Sequence, residues 1–583
     1  MKSFHENYKK QVMELAEQMR NQQLPEPTEE LFSLFETTGN RLQYEEVYFL
    51  RRKFLAVYGM AAYVGKKKED IDKLGEVLLE ICSEECWALP AHVNRKDDEN
   101  WRITVDLFAS ETAQALAEIL GLVNPSLPQE LRLPEALCRV VEQEIEQRVF
   151  EPFFTSKPNY GCWECADHNW NAVCAGSIGS ACIYLMQGRQ EERLAECIKR
   201  LCHSLTYYLD GFKGDGTCME GIGYFTYGMT YFVGFAEQLY RYSKGTVNLF
   251  NNEKVKKIAQ FQQKMYVQSG KTVSFSDGEQ NAKFRMGLTS FLSKQYEGIR
   301  VPKETLAAGF ETDTCYRFMG LMRDYLWTME DGTEDSDSGM KSLGETDAVS
   351  RHEVLPDAQW SICESAAGTA MAVKGGTNGE PHNHNDIGSF CYLVGDEFLI
   401  TDLGAGEYTK EYFGAGRYDI LCNSSLGHSV PIISGQKQMA GSEYRASEFR
   451  ADGQGKTWVE FAGAYPEGIA NSLTRETRFF MDTGALTVVD YYDLPKGTNF
   501  LTEQLVTQGE VELQQHGAWI RGKNHDCVLQ LPEGIRRIWC QEKEHKNHEG
   551  EAEIVRLLQW EVPLNLGKEN KGTTWFTIIS YNK

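Results

Sequence analysis

The sequence predicts an all-helical domain over residues 1–330, a linker or exposed loop over 331–355, and an antiparallel β-sandwich over 356–583. Three observations carry that division. Apolar residues recur at three- and four-residue steps through the first half. The stretch MEDGTEDSDSGMKSLGETD at 329–347 is acidic, rich in Ser and Gly and almost free of large apolar side chains, a composition that favours solvent over a core. Short β-type runs separated by turn residues fill the remainder.

In chain order, the helical pattern is clearest in 41–64, 71–89, 101–123, 133–153 and 169–188. Several of these segments are apolar around more than half their circumference, as expected where a helix packs on two neighbours. Their connections are short, which predicts antiparallel hairpins. In the second half the runs GTAMAVKGG, SFCYLVGDEFLITDLG, KTWVEFAGAY, TRFFMDTGALTVVDYYDL and TTWFTIISY read as strands. Gly395-Asp396 and Asp482-Thr483-Gly484 supply hairpin turns inside two of them.

The 583 residues carry 60 Lys and Arg against 84 Asp and Glu, a formal charge of −24. That excess of acid argues against a general nucleic-acid binder and against attachment to anionic lipid through basic residues. It also disfavours tracking along a long polyanion, because no basic groove is evident to steer one. No stretch reaches the ~18 uninterrupted apolar residues of a membrane span. The amphipathic N-terminus lacks the apolar core of a signal peptide, and the 16 cysteines are scattered without regular spacing. A bacterial-type cytoplasm with reduced thiols is therefore the expectation.

Three clusters could carry chemistry. PHNHNDIGSF at 381–390 places His382, Asn383, His384, Asn385 and Asp386 on a loop entering a strand, with Asp402 in LITDLG and His428 in SSLGHSVP downstream. Two His and an Asp form a set that tetrahedral Zn²⁺ uses; the plain alternative is a hydrogen-bonded polar loop. ADHNWNAV at 166–173 offers His168, Asn169 and Asn171 at a helix start, where Asp167 or Asn169 could simply cap the helix. DGTCMEGIGYFTYGMTYF at 215–232 sets Glu220 beside Tyr224, Tyr227 and Tyr231 at helical steps. Such a stripe usually packs in a core, yet a phenol in a cleft can move a proton. The Cys162-x-x-Cys165 pair has no partner pair at zinc-ribbon spacing and reads as structural. The chain shows no dinucleotide fingerprint, phosphate loop or nucleophile elbow, which disfavours nucleotide-dependent chemistry.

HNWNAV at 168–173, EGIGYFTYG at 220–228, and HNHNDIGSF with LITDLGAGEYT at 382–409 together resemble the heparinase II/III-like polysaccharide lyases. The resemblance implies an incomplete (α/α) toroid of helical hairpins followed by an antiparallel β-sandwich. It implies β-elimination on uronate-containing glycans, glycosaminoglycan- or alginate-like, leaving an unsaturated uronate. By the same resemblance, Asn169 with His168 meets the substrate carboxylate and Tyr224 moves the C5 proton and protonates the leaving O4. His382 assists, or acts as base on the opposite face for the C5 epimer. His384, Asp402 and His428 match the zinc ligands, one structural Zn²⁺ per chain that would pin the loop presenting His382. Tyr227 is a substitute for Tyr224, and Glu220, Asn171 and Arg417 are candidate substrate contacts, Arg417 by bidentate pairing with an acid group. A C5-epimerase of the same architecture and a non-catalytic carbohydrate-binding homologue are the alternatives. The expected partner is a short acidic oligosaccharide rather than nucleic acid or membrane, with room for a homo-oligomer.

Overall fold

The computed structural model describes residues 2–156, 162–329, 350–564 and 570–582. These fall into two compact units. One takes the described residues of Met1–Phe212, Tyr224–Ala259 and Lys283–Ser342; the other takes those of Lys213–Gly223, Gln260–Ala282 and Leu343–Lys583.

The first unit is helical. Its longer members include Lys2–Met19, Leu42–Gly65, Leu107–Glu118, Asn169–Met186 and Glu191–Gly211. Asn169–Met186 is buried around nearly its whole surface, which its small residues allow. A Cβ at Gly176 would stand 2.5 Å from the carbonyl oxygen of Tyr231, on the helix Ile222–Tyr242, so only glycine lets these two helices approach this closely. Val173 and Cys174 of this helix join Tyr48, Trp101, Phe108, Tyr231 and Met319 in one apolar cluster. The helix also packs on Leu107–Glu118 and on Glu191–Gly211.

The second unit is antiparallel β throughout its paired strands. A five-stranded sheet runs in the order Arg351–Leu355, Trp360–Glu364, Thr369–Lys374, Phe390–Val394, Glu397–Ile400. An eight-stranded sheet runs Glu510–Gln514, Gly517–Arg521, His525–Gln530, Asn570–Asn582, Leu486–Leu494, Ser472–Phe479, Lys456–Glu460, Glu448–Ala451. A four-stranded sheet runs Ile538–Lys546, Ala552–Val562, Leu501–Thr507, Ile432–Ile433. Their inner faces share one core, in which Tyr392 and Val394 meet Phe479, Val488 and Phe576 from the second sheet and Leu505 and Trp560 from the third. The predicted turns at Gly395-Asp396 and 482–484 both close hairpins, Val394 pairing with Glu397 and Phe479 with Leu486.

Two segments expected among the helices, 213–223 and 260–282, group instead with the β unit. Their polar groups account for this. Gln280 Nε2 donates to Thr401 Oγ1 at 2.6 Å and to the Asp402 carbonyl at 2.9 Å. Arg351 Nη2 donates to the Tyr266 carbonyl at 2.8 Å, and the Asp357 amide donates to Asp215 Oδ2 at 2.8 Å. Residues 331–349 of the expected linker lie outside the described residues, and its last five, Arg351–Leu355, form an edge strand. Among the described residues no helix is long and apolar enough to cross a membrane. All 16 cysteines are free thiols.

Candidate active site

In the helical unit, the helix Asn169–Met186 opens at the HNWN motif. His168 itself occupies the N-cap position, with no side-chain capping bond; neither Asp167 nor Asn169 caps the helix as the sequence suggested. Asn169 and Asn171 are both buried but stand two residues apart, about 200° around the helix. Asn171 faces inward, where its Nδ2 donates to the Glu164 carbonyl, the Ser204 carbonyl and Ser204 Oγ, each at 3.0 Å. Its amide therefore ties the 163–165 turn to the helix Glu191–Gly211.

Tyr224 and Tyr227 lie on the helix Ile222–Tyr242, both half-buried. The Tyr227 hydroxyl donates to Glu111 Oε1 at 2.6 Å, and the Arg317 guanidinium lies 4.0 Å above its ring. Burial and the neighbouring Glu111 hold the Tyr227 phenol well above its ordinary range. Burial also pushes the Glu111 carboxyl up to about 7, against the pull of Arg317 and the Tyr227 hydrogen bond.

The second group lies wholly in the β unit and centres on Asp277, a residue the sequence reading did not single out. Its carboxylate is fully buried. Oδ2 accepts from His382 Nδ1 at 2.6 Å and from the Tyr408 hydroxyl at 2.8 Å. Oδ1 accepts from the Tyr412 hydroxyl at 2.6 Å and from His384 Nε2 at 3.0 Å. Burial alone would raise this carboxyl, but the bonds from His382 and His384 outweigh it and hold it well below the usual range. The turn 274–278 is seated by glycines: a Cβ at Gly404 would fall 2.2 Å from the Gly278 carbonyl oxygen. Ser274 Oγ donates to the Asp402 carbonyl at 3.1 Å. A Ser-Asp-Gly turn was the available sequence signal, with nothing local to tie it to a histidine 105 residues on.

His382 has φ +53, in the left-handed region that residues with a Cβ avoid. Its ring is one-fifth exposed, and Nε2 stands 3.6 Å from Glu220 Oε2. Arg417 stacks 4.5 Å from the Tyr412 ring centre and donates from Nη1 to the Tyr412 carbonyl and from Nη2 to the Asn383 carbonyl, each at 3.0 Å. The structure thus brings Glu220, His382, His384 and Arg417 together in the β unit, with Arg417 holding the loop.

His384, Asp402 and His428 are buried and adjacent. The His384 and His428 ring centres are 5.3 Å apart, and His428 Nδ1 stands 3.3 Å from Asp402 Oδ2. His428 Nε2 donates to the Cys422 carbonyl at 2.7 Å, while His384 Nε2 serves Asp277. Both Nδ1 atoms, Asp402 Oδ2 and Asp386 Oδ1 are buried without a hydrogen-bond partner. One ligand atom each from His384, Asp386 and His428 lies within 4.8 Å of the others. The other Asp386 oxygen is held by Lys374 Nζ at 2.8 Å. Two imidazoles with Nε2 anchored and Nδ1 open, facing unpartnered carboxylate oxygens, fit a zinc-type donor set with its supporting hydrogen bonds. Burial lowers the His384 ring, partly offset by Asp277; Asp402 outweighs burial at His428 and raises it, and His428 in turn holds Asp402 below its usual range despite burial.

No protein-family profile and no curated protein matches the chain. Solved structures do. The heparan sulfate lyase HepC of Pedobacter heparinus superposes with a TM-score of 0.61 at 12% identity, covering 98% of this chain and 83% of that one. A heparinase III matches with 0.61 at 14% identity, covering 91% and 76%. The chondroitin AC lyase of Streptomyces coelicolor A3, in complex with chondroitin sulphate, matches with 0.56 at 10% identity, covering 98% and 79%. The chain therefore has the fold of the heparinase-type polysaccharide lyases, a helical toroid domain followed by an antiparallel β domain.

Proposed function

We propose that this protein is a polysaccharide lyase that cleaves short uronate-containing oligosaccharides by β-elimination. The observation that carries the reading is His382: a partly exposed imidazole on a left-handed residue, its Nδ1 bonded to a buried carboxylate and its Nε2 turned towards Glu220. Strain of this kind persists where the surroundings over-determine it, typically at functional sites. The shared fold with heparan sulfate and chondroitin lyases supports the same class of chemistry.

The C5 proton of a uronate is weakly acidic because the adjacent carboxylate is already negative. Donors that offset this charge allow an enolate-like intermediate to form. In the reading, Asn169, with His168 beside it, donates to that carboxylate. Tyr224 or His382 takes the C5 proton, the C4–O4 bond breaks as C4=C5 forms, and Tyr224 returns a proton to O4. The Tyr227 hydroxyl is engaged by Glu111, and the resemblance to the lyases assigns the proton transfer to Tyr224. His384, His428 and Asp386 would hold one structural Zn²⁺, with Asp402 Oδ2, the ligand the sequence suggests, beside His428 Nδ1 at 3.3 Å; the metal would fix the loop that carries His382. The charge of −24 supports a short oligomer over a long polyanion.

A panel of defined glycosaminoglycan- and alginate-type oligosaccharides tests the reading by product mass. Cleavage without gain of water is expected. Hydrolysed products, or deuterium uptake from solvent at C5 without cleavage, would replace it with a hydrolase or a C5-epimerase.

A further inference from the structure

We propose that Asp277 is a positioning residue for His382: it fixes the imidazole in the tautomer that carries hydrogen on Nδ1, leaving the Nε2 lone pair as the proton acceptor. The inference deepens the lyase reading and rests on it for the chemistry His382 performs.

An ionised carboxylate only accepts hydrogen bonds, so every polar group aimed at it must donate. Four donors surround Asp277: His382 Nδ1 and the Tyr408 hydroxyl on one oxygen, the Tyr412 hydroxyl and His384 Nε2 on the other. With each oxygen held twice, the carboxylate cannot rotate, and a neutral His382 has its single N–H assigned to Nδ1. The segment is closely seated: Ser276 is left-handed at φ +61 and Gly278 sits against Gly221 and Gly404. The same carboxylate orients His384 in the opposite sense, Nε2 towards Asp277 and Nδ1 towards the buried cluster. One side chain thereby gives two histidines, two residues apart, opposite tautomers. An asparagine at 277 has one acceptor oxygen and one NH₂ group, so it cannot accept from both rings.

The test is nitrogen NMR of histidine-labelled protein at alkaline pH, where imidazole is neutral. The His382 signals are assigned by their loss in His382→Ala. In the wild type, and in Asp277→Glu, Nδ1 should carry the hydrogen. In Asp277→Asn the ring should lose that preference. On a uronate substrate its kcat should fall by ~100-fold or more, the scale of a lost general base, with KM within about threefold. A wild-type His382 with hydrogen on Nε2, or an Asp277→Asn ring unchanged from wild type, overturns the proposal. If Asp277→Asn does not fold, the wild-type spectrum alone decides. The spectrum needs no substrate, so it separates the two ideas: hydrogen on Nδ1 with no turnover sinks the lyase reading alone, and turnover with hydrogen on Nε2 sinks the role of Asp277 alone.

Discussion

His384 and His428 stand 5.3 Å apart between ring centres, each with Nε2 bonded to the protein; His384 Nδ1 is buried without a hydrogen-bond partner, and His428 Nδ1 stands 3.3 Å from Asp402 Oδ2. Two imidazole nitrogens and the carboxylate oxygens of Asp386 and Asp402 crowd one buried space, an arrangement of electron-pair donors that a cation would satisfy together. Elemental analysis should find one zinc per chain in the wild type and none in the double variant His384→Ala/His428→Ala. A ligand that binds only the folded state at a thousand times its Kd stabilises by about 4 kcal/mol, so chelation should lower the melting temperature of the wild type but not of the double variant. A metal-free wild type, or full occupancy in the double variant, removes the assignment.

Glu111 makes the helical unit sensitive to pH. Its carboxyl is raised from 4.5 to about 7 by burial, so the folded state holds the proton more tightly than the unfolded one. The associated stability is fully present below pH 4.5 and is lost as pH rises through about 7. The shift corresponds to about 3 kcal/mol. Glu111→Gln can still accept from Tyr227 and has no charge to lose. Denaturant unfolding at pH 5 and pH 8 should show the wild type less stable at pH 8 and a flatter profile for Glu111→Gln; equal slopes would contradict the account.

Arg417 distinguishes holding the loop from binding substrate. Its guanidinium joins the Asn383 and Tyr412 carbonyls, a fork that lysine cannot reproduce. Arg417→Lys should lower kcat by about tenfold, the scale of one lost hydrogen bond, with KM nearly unchanged. A tenfold rise in KM at constant kcat would instead place Arg417 on the substrate's acid group.

The site was legible where its residues are dense in sequence. Residues 382–386 bring two histidines and their carboxylate neighbour into one loop, and the Gly395-Asp396 hairpin is short enough to return the chain to Asp402. Asp277 was not legible, because its partners are distant in sequence and its segment was read among the helices. Asn171 is a candidate substrate contact in the HNWN motif, yet helical geometry turns its Nδ2 inward to Glu164 and Ser204. Strands such as Leu501–Thr507 gave little signal for a related reason. Every residue of that strand is buried, so no alternation marks it, and Glu503 is tolerated there beside Arg475.

In the proposed elimination, Tyr224 transfers the proton. Ultraviolet absorbance of the unsaturated uronate, followed during reaction with a defined uronate oligosaccharide, tests it most directly. Absorbance should rise with the wild type and stay flat with Tyr224→Phe, whose fold should be unchanged by circular dichroism. No rise with the wild type across the panel, or an undiminished rate in Tyr224→Phe, would contradict it.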